Sequence, residues 1–341
     1  MAVGHALWPD QLDAAERARL RPGIPAELNR SPNVLVVGGG IVGCATAAAC
    51  VQAGVGSVVL LERETLGAGA SGGAAGLLQP EAHDAVDPPQ FVEFMRGSLS
   101  AWHDLDASWP GGVGLQPTVW KGHAQARVNP LRAIARLVAA LPNVATGVDV
   151  TGVSSSRGLV RAVRTSIGDF APGRVVFATG MPPLLNGLNI PASEVKGHML
   201  CSAPTRLVRP DQLTDLVTLI EDGRLLMGGT LDVDDHERVV RPEVTDRMWQ
   251  ELVAAWPEVA AARLDYRWAC FRPAHPDHLP VIDRVPGLDN AWLTSGHYKT
   301  GILLAPGTGR ALSEWMGSGS KPAEVEPFGL ARLARVASSG T

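Results

Sequence analysis

The spacing of apolar residues changes several times along the chain, and each change predicts an element. Val34-Leu35-Val36-Val37 is an unbroken, β-branched run that stops at three glycines. That is the pattern of a parallel strand buried on both faces. Ile41 to Ala53 is Ala-rich and uncharged, predicting a tightly packed helix that Gly54 and Gly56 end, and Ser57 to Leu61 reads as the next strand. Together these segments have the size of a βαβ unit. From Pro88 and Pro89 onward, Phe91, Phe94, Met95, Leu99, Trp102 and Leu105 recur at helical spacing. Asn129 as cap with Pro130 behind it opens another helix through Leu131, Ile134, Leu137 and Val138. Strands are predicted at 148–153, at 174–177 running into Ala178-Thr179-Gly180, at 225–227 running into Gly228-Gly229-Thr230, and at 291–294. Pro242 through Trp256 is amphipathic, and a last helix begins near Gly301.

Length adds that the 341 residues suffice for about two domains with a real core. Thirty basic against 34 acidic residues, a net charge of −4, exclude a broadly basic nucleic-acid surface. The four cysteines have neither paired nor metal-like spacing, so no metal site is expected. Without a signal-like leader they read as reduced thiols of a cytoplasmic protein. Ile41 to Leu61 is uncharged and long enough to cross a membrane, but its Gly and polar residues fit helix, turn and strand better, so no span is expected. Glycine is abundant, and eleven of the 38 lie between Gly38 and Gly76, so the excess is local.

The chemistry begins there. Gly38, Gly40 and Gly43 satisfy GxGxxG between a strand and a helix. The first permits a tight turn, the second lets a pyrophosphate approach, and the third lets helix and strand pack closely. The helix start supplies oriented N–H groups, here from Ile41 and Val42. Glu62, ending the second strand, can bind ribose hydroxyls and argues against a 2′-phosphate, hence against NADP. A second match to the pattern, Gly67 to Gly72, lacks a preceding strand.

Further residues carry a resemblance. They are GGGIVG with the LLER that includes Glu62 and Arg63, the ASGGAAGLL loop at 70–78, VVFATG at 175–180, Lys196-Gly197-His198, Gly228-Gly229-Thr230, Cys270-Phe271-Arg272-Pro273 and Gly296 to Leu304. In these the chain resembles the D-amino acid oxidase family of flavoproteins, in particular its glycine oxidase and sarcosine oxidase branch. The resemblance implies a mixed fold of α/β and α+β character: a Rossmann-like FAD-binding domain interleaved with an antiparallel-sheet substrate domain. It also implies oxidation of a C–N bond by hydride transfer to flavin N5, giving an imine and then an oxo acid, with H2O2 from reoxidation by O2. FAD carries the chemistry while the protein supplies position and charge.

Site residues follow from the same resemblance. Ala70, Ser71, Ala75, Gly76, Leu77, Val150, Thr179 and Gly180 join the fingerprint in binding FAD. Gly301, Ile302 and Leu303 offer backbone N–H groups to the flavin at a helix start. Arg272 matches the arginine that clamps the substrate carboxylate. Lys299 replaces a common arginine and gives up its bidentate contact. His297 and Tyr298 shape the pocket. Cys270 stands where sarcosine oxidases attach the flavin by a thioether and glycine oxidases carry glycine; a buried, unreacted thiol with non-covalent FAD is favoured over the covalent link.

The expected division is 31–85, 125–198 and 285–320 for FAD, 86–124 and 199–284 for substrate, an extension over 1–30 and a tail over 321–341. The implied substrate is a small amino acid or N-substituted glycine. Alternatives are a dehydrogenase of similar amines using another acceptor, a specialised biosynthetic amine oxidase, and a flavin-binding subunit without turnover. An NADPH monooxygenase is disfavoured, since no second well-placed nucleotide motif exists. With Tyr266 and Tyr298 the only tyrosines, few phenols can anchor a carboxylate. A homo-oligomer is compatible with the sequence.

Overall fold

The computed structural model describes residues 2–120, 122–183, 185, 188–207, 217–220 and 222–338; the last three residues of the expected tail lie outside that range. Strand Val34–Val37 lies in a six-stranded sheet, between Arg174–Gly180 on one side and Val58–Glu62 on the other, all parallel. Val144–Thr146 closes one end, and Ala291–Ser295 with antiparallel Val281–Arg284 the other. Val34 and Val36 enter one core, Leu35 and Val37 a second on the opposite face. Both faces are covered, which is why the run shows no alternation. The chain leaves Val34–Val37 toward one neighbour and returns on the other, so a crevice opens at the carboxyl ends of these strands. Gly38, Glu62, Thr179 and Gly296 all lie at or just past those ends.

The second large sheet is antiparallel, in the order Val3–His5, Leu264–Ala274, Ser193–Ser202, Leu225–Gly228, Val217–Leu219. Its pairing sets Val195 opposite Arg272, Gly197 opposite Cys270 and Met199 opposite Trp268, all on one face. Lys196, His198 and Phe271 take the other face. Helix Pro242–Ala255 packs Met248 and Leu252 onto Leu200, Leu225 and Met227 of this sheet.

The expected helices form over Ile41–Gln52, Pro89–Ser108, Pro130–Val138, Pro242–Ala255 and Gly301–Ser318. Asn129 caps its helix as predicted, accepting from the Leu131 and Arg132 N–H groups at 3.0 and 3.1 Å. The strand expected at 148–153 is displaced: Val144–Thr146 joins the parallel sheet, and Val150–Ser156 pairs instead with Leu159–Thr165. That hairpin turns on Arg157 and Gly158, both with positive φ, the tight turn that suits twisted strands. No described helix is long and apolar enough to cross a membrane.

Helix Gly301–Ser318 carries Pro306 in its interior, where proline removes the hydrogen bond to the carbonyl four residues back. The freed Ile302 carbonyl accepts from the Trp102 indole N–H at 3.0 Å. At the next residue, the Ser98 hydroxyl donates to the Leu303 carbonyl at 2.7 Å and accepts from Gly307 N–H at 2.9 Å. Helix Pro89–Ser108 thus supplies the bonds that proline withholds and fixes the first turn of Gly301–Ser318. Trp102→Phe keeps the packing but orphans the Ile302 carbonyl. It should lose about 1–3 kcal/mol in chemical denaturation; an unchanged midpoint would show that the bond contributes nothing.

Candidate active site

The fingerprint is shaped by backbone contacts. Gly38 has φ +113°, and a side chain there would overlap the Ala178 carbonyl. A Cβ on Gly43 would overlap the Gly38 carbonyl oxygen. Gly40 differs, since a Cβ there would meet only the Ser71 hydroxyl, at 3.4 Å. Nothing in the chain forbids a side chain at 40; the free space lies at the start of helix Ile41–Gln52. Gly40 offers that helix no side-chain cap, and Ile41 N–H donates to Ser71 Oγ at 3.0 Å. Val42 and Gly43 follow in the same first turn.

Glu62 accepts from Gly39 N–H at 2.6 Å and from Glu64 N–H at 2.9 Å, which holds its carboxylate beside the glycine turn. Arg63 is exposed, with Nε 3.6 Å from Glu64. Val148 N–H binds the Glu62 carbonyl at 3.0 Å, while the Val150 side chain packs on the second core. Ala70 and Ser71 lie in a single 3-10 turn, Ala70–Gly73. Half-buried Ala75 leads to Gly76, at φ +73°, and to Leu77, which pairs with Arg127. Thr179 is exposed and donates to the Met181 carbonyl, and the Gly180 carbonyl accepts from Gly296 N–H at 2.9 Å. A helix start whose N-cap glycine brings no side chain, an unfilled space at Gly40 and a carboxylate beside the turn fit a dinucleotide's pyrophosphate and ribose.

Tyr298 N–H donates to the Pro273 carbonyl at 2.8 Å, and Ala274 bridges to His297. This ties the loop at 296–300 to the strand carrying Arg272, and brings the start of helix Gly301–Ser318 with it. Thr300 does not cap that helix, because its hydroxyl donates to the His297 carbonyl at 2.9 Å. The half-buried Arg272 guanidinium donates to the Thr230 carbonyl at 2.9 Å, and among the described residues it has no carboxylate partner. A Cβ on Gly197 would collide with both of its terminal nitrogens, and one on Gly229 with Nη2. The cation therefore lies flat across two bare backbone positions.

Other expected residues are placed differently. Lys299 is exposed, its Nζ 6.0 Å from the Tyr298 ring centre, with no acidic partner among the described residues. Tyr298, at φ +48°, stacks on His278 at 4.6 Å. Tyr266 donates its phenol proton to Asp10 at 3.1 Å, so neither phenol contacts Arg272. His297 is buried, with Nε2 3.4 Å from the hydroxyls of Thr294 and Thr308. Burial, and secondarily His275, push its pKa down to about 3, so it stays neutral in the packing. Cys270 is 2% exposed, and a Cβ on Gly73 would meet its sulfur at 3.1 Å. Burial raises this thiol's pKa, although Arg272 works against that.

Gly197, Gly229 and Thr230 are the residues whose part in seating Arg272 was not foreseen. Their motifs, KGH and GGT, stood out in the sequence, but only pairing brings them together. Behind them, His198 Nδ1 lies 2.9 Å from Asp232, while its Nε2 accepts from Arg241 N–H at 3.0 Å. The Thr230 hydroxyl also binds Asp232 and accepts from His198 N–H at 2.9 Å. Lys196, fully buried, pairs with Asp235 at 2.8 Å, and Arg241 holds the same carboxylate at 2.7 Å. These contacts fix the segment whose carbonyl aims Arg272.

A glycine turn between a parallel strand and a helix, with a carboxylate at the end of the next strand, is the arrangement of a dinucleotide-binding protein. The chain matches the FAD dependent oxidoreductase (DAO) family over residues 33–140 and 119–315. It belongs to that family, and FAD is its cofactor. Glycine oxidase of Pseudomonas putida is 26% identical, across 86% of this chain and 96% of that protein. A D-amino acid dehydrogenase of Chromohalobacter salexigens is 28% identical, across 54% of this chain and 46% of its own length. The crystal structure of glycine oxidase from Geobacillus kaustophilus shares the fold, with a TM-score of 0.74 at 20% identity, across 89% of this chain and 99% of that one.

His297 gives stability a pH dependence. Its folded pKa, about 3, lies below the ordinary 6.5, so below pH 6.5 the unfolded chain takes up a proton that the folded chain refuses. The stability it contributes therefore falls as pH drops from 6.5 toward 3, by up to about 1.4 kcal/mol per unit. His297→Asn should lack this slope, so its unfolding free energy should approach or pass that of the parent between pH 6 and 4. Parallel curves for the two proteins would show that His297 titrates normally.

Proposed function

We propose that the protein oxidises the C–N bond of a small amino acid or N-substituted glycine, giving an imine that water converts to an oxo acid. Bound FAD supplies the hydride acceptor and passes the electrons to O2, giving H2O2. The observation that carries this reading is Arg272: a half-buried guanidinium laid over Gly197 and Gly229, with no protein carboxylate among the described residues to neutralise it. A planar fork so held can take a substrate carboxylate bidentately and fix which way the Cα–H points. Thr230 orients the fork through its carbonyl, leaving the other guanidinium N–H groups for the ligand. No acid–base pair is required, and neutral His297 needs none. Lys299, free of acidic partners among the described residues, adds a mobile cation near the same loop. In this reading the parallel sheet carries FAD and the antiparallel sheet the substrate.

A second reading, a dehydrogenase with another acceptor, draws on the similarity to the D-amino acid dehydrogenase. One experiment separates the two. Glycine, sarcosine, D-alanine, D-proline and longer N-substituted glycines are mixed with the enzyme under nitrogen, and flavin bleaching is followed. Air is then admitted and peroxide measured. At least one carboxylated amine should bleach the flavin, and peroxide should follow at the turnover rate. Bleaching without peroxide favours the dehydrogenase; no bleaching across the panel overturns the small-amino-acid reading. Arg272→Ala should lower kcat/KM on the best substrate by roughly a hundredfold or more.

We also propose that FAD is held non-covalently, because Cys270 is packed against Gly73 and its thiolate is disfavoured. Acid precipitation should leave the yellow colour in the supernatant. Colour retained in the washed pellet, and lost in Cys270→Ser, would establish the thioether instead.

A further inference from the structure

The family match begins at residue 33, yet residues 2–20 are built into both large sheets' surroundings. Val3–His5 forms the outer strand of the antiparallel sheet, running against Arg267–Ala269, directly before Cys270. Ala2 reaches Gly73, where an added Cβ would stand 3.3 Å from its own. Trp8 is buried, and its indole N–H donates to the Ala74 carbonyl at 2.7 Å. The neighbouring Gly73 carbonyl accepts from the Trp268 indole at 3.0 Å. Two indoles, one from residues 2–20 and one from the sheet, thus grip the Ala70–Gly73 turn and the residue after it.

The segment is itself anchored on the nucleotide side. Asn129, while capping its own helix, donates to the Trp8 carbonyl at 3.3 Å. Glu16, 4% exposed, takes Arg132 at 3.1 Å and Arg136 at 3.4 Å. Arg132 also donates to the Gln11 carbonyl. The Leu20 carbonyl accepts from Leu66 N–H at 3.0 Å, and Leu66 packs where a Cβ of Gly39 would lie. A bare surface patch needs none of these connections. They converge on the two stretches that border the fingerprint, and the gripped turn carries Ser71, the acceptor of Ile41 N–H.

We propose that residues 2–20 are part of the FAD-binding apparatus. They clamp the 70–76 segment from outside and so hold Ser71 at the start of helix Ile41–Gln52. Trp8 acts through the turn and is a positioning residue, not a contact of the cofactor.

The test is titration of FAD into stripped apoprotein, followed by flavin fluorescence, with melting of each apoprotein in parallel. Trp8→Phe removes the bond to the turn. Tyr266→Phe removes the bond to Asp10, which ties the same segment only to the antiparallel sheet, and serves as a control of similar structural cost. Trp8→Phe should raise the FAD dissociation constant three- to tenfold, the effect of about one hydrogen bond. Tyr266→Phe should stay within twofold. In a Ser71→Ala background, Trp8→Phe should add less than twofold, because its route to the cofactor is already cut. Equal shifts from Trp8→Phe and Tyr266→Phe, no shift from Trp8→Phe, or a full shift in the Ser71→Ala background would each reduce the segment to a structural patch. If Trp8→Phe does not accumulate, Glu16→Gln takes its place against the same control.

Discussion

The bare Cα of Gly309 lies so near the Ala45 carbonyl that a Cβ would stand 2.7 Å from that oxygen. This contact sets the distance between helices Ile41–Gln52 and Gly301–Ser318. The N-cap residue of neither helix supplies a side-chain cap, and at the first start Ser71 accepts from Ile41 N–H from outside the helix. Small residues, Ala45, Ala49 and Gly309, make the approach close, and Ser313 ties across it to the Ala49 carbonyl at 3.3 Å. Any larger residue at 309 would push the two helices apart and shift the second helix start relative to the first. The sheet, the proline in the second helix and the bonds from Trp102 and Ser98 all serve this spacing.

The face of the antiparallel sheet that carries Arg272 shows the opposite physics, a cation left incompletely neutralised. Neighbouring charges are matched: Lys196 and Arg241 share Asp235. Arg241 and Lys196 keep the Asp235 carboxyl far below its usual range. Arg272 alone on its face of the strand has a carbonyl and two glycines. A cation held so is costly unless an anion completes it, and the segment after Thr230, fastened by His198 and Asp232, keeps it from swinging to a surface acid.

The legible parts of the sequence were those with an unbroken apolar run, an apolar stripe at helical spacing or chemistry confined to a few residues. The glycine turn, the helices with apolar stripes and the Asn129 cap announce themselves within a few residues. Strand Leu264–Ala274 did not: Trp268 and Cys270 are buried on one face and Ala269 and Phe271 on the other, so alternation vanishes. Arg272 was singled out through its motif, whereas Gly197 and Gly229 became meaningful only once pairing laid them under it. His297 shows the reverse failure. It sits within a recognisable loop, but its ring faces Thr294 and Thr308, a direction no linear pattern encodes. Residues 2–20 carry no motif, and their place depends on partners dozens to hundreds of residues away.

The bonds that repair the Pro306 gap join residues about two hundred positions apart. During synthesis, helix Pro89–Ser108 emerges with Trp102 and Ser98 aimed at carbonyls that do not yet exist. At typical elongation rates the wait is roughly ten to forty seconds. Throughout it, the Ala-rich face of Ile41–Gln52 and the indole of Trp102 stay uncovered by that last helix. A nascent chain therefore carries these apolar surfaces unburied until helix Gly301–Ser318 arrives to cover them.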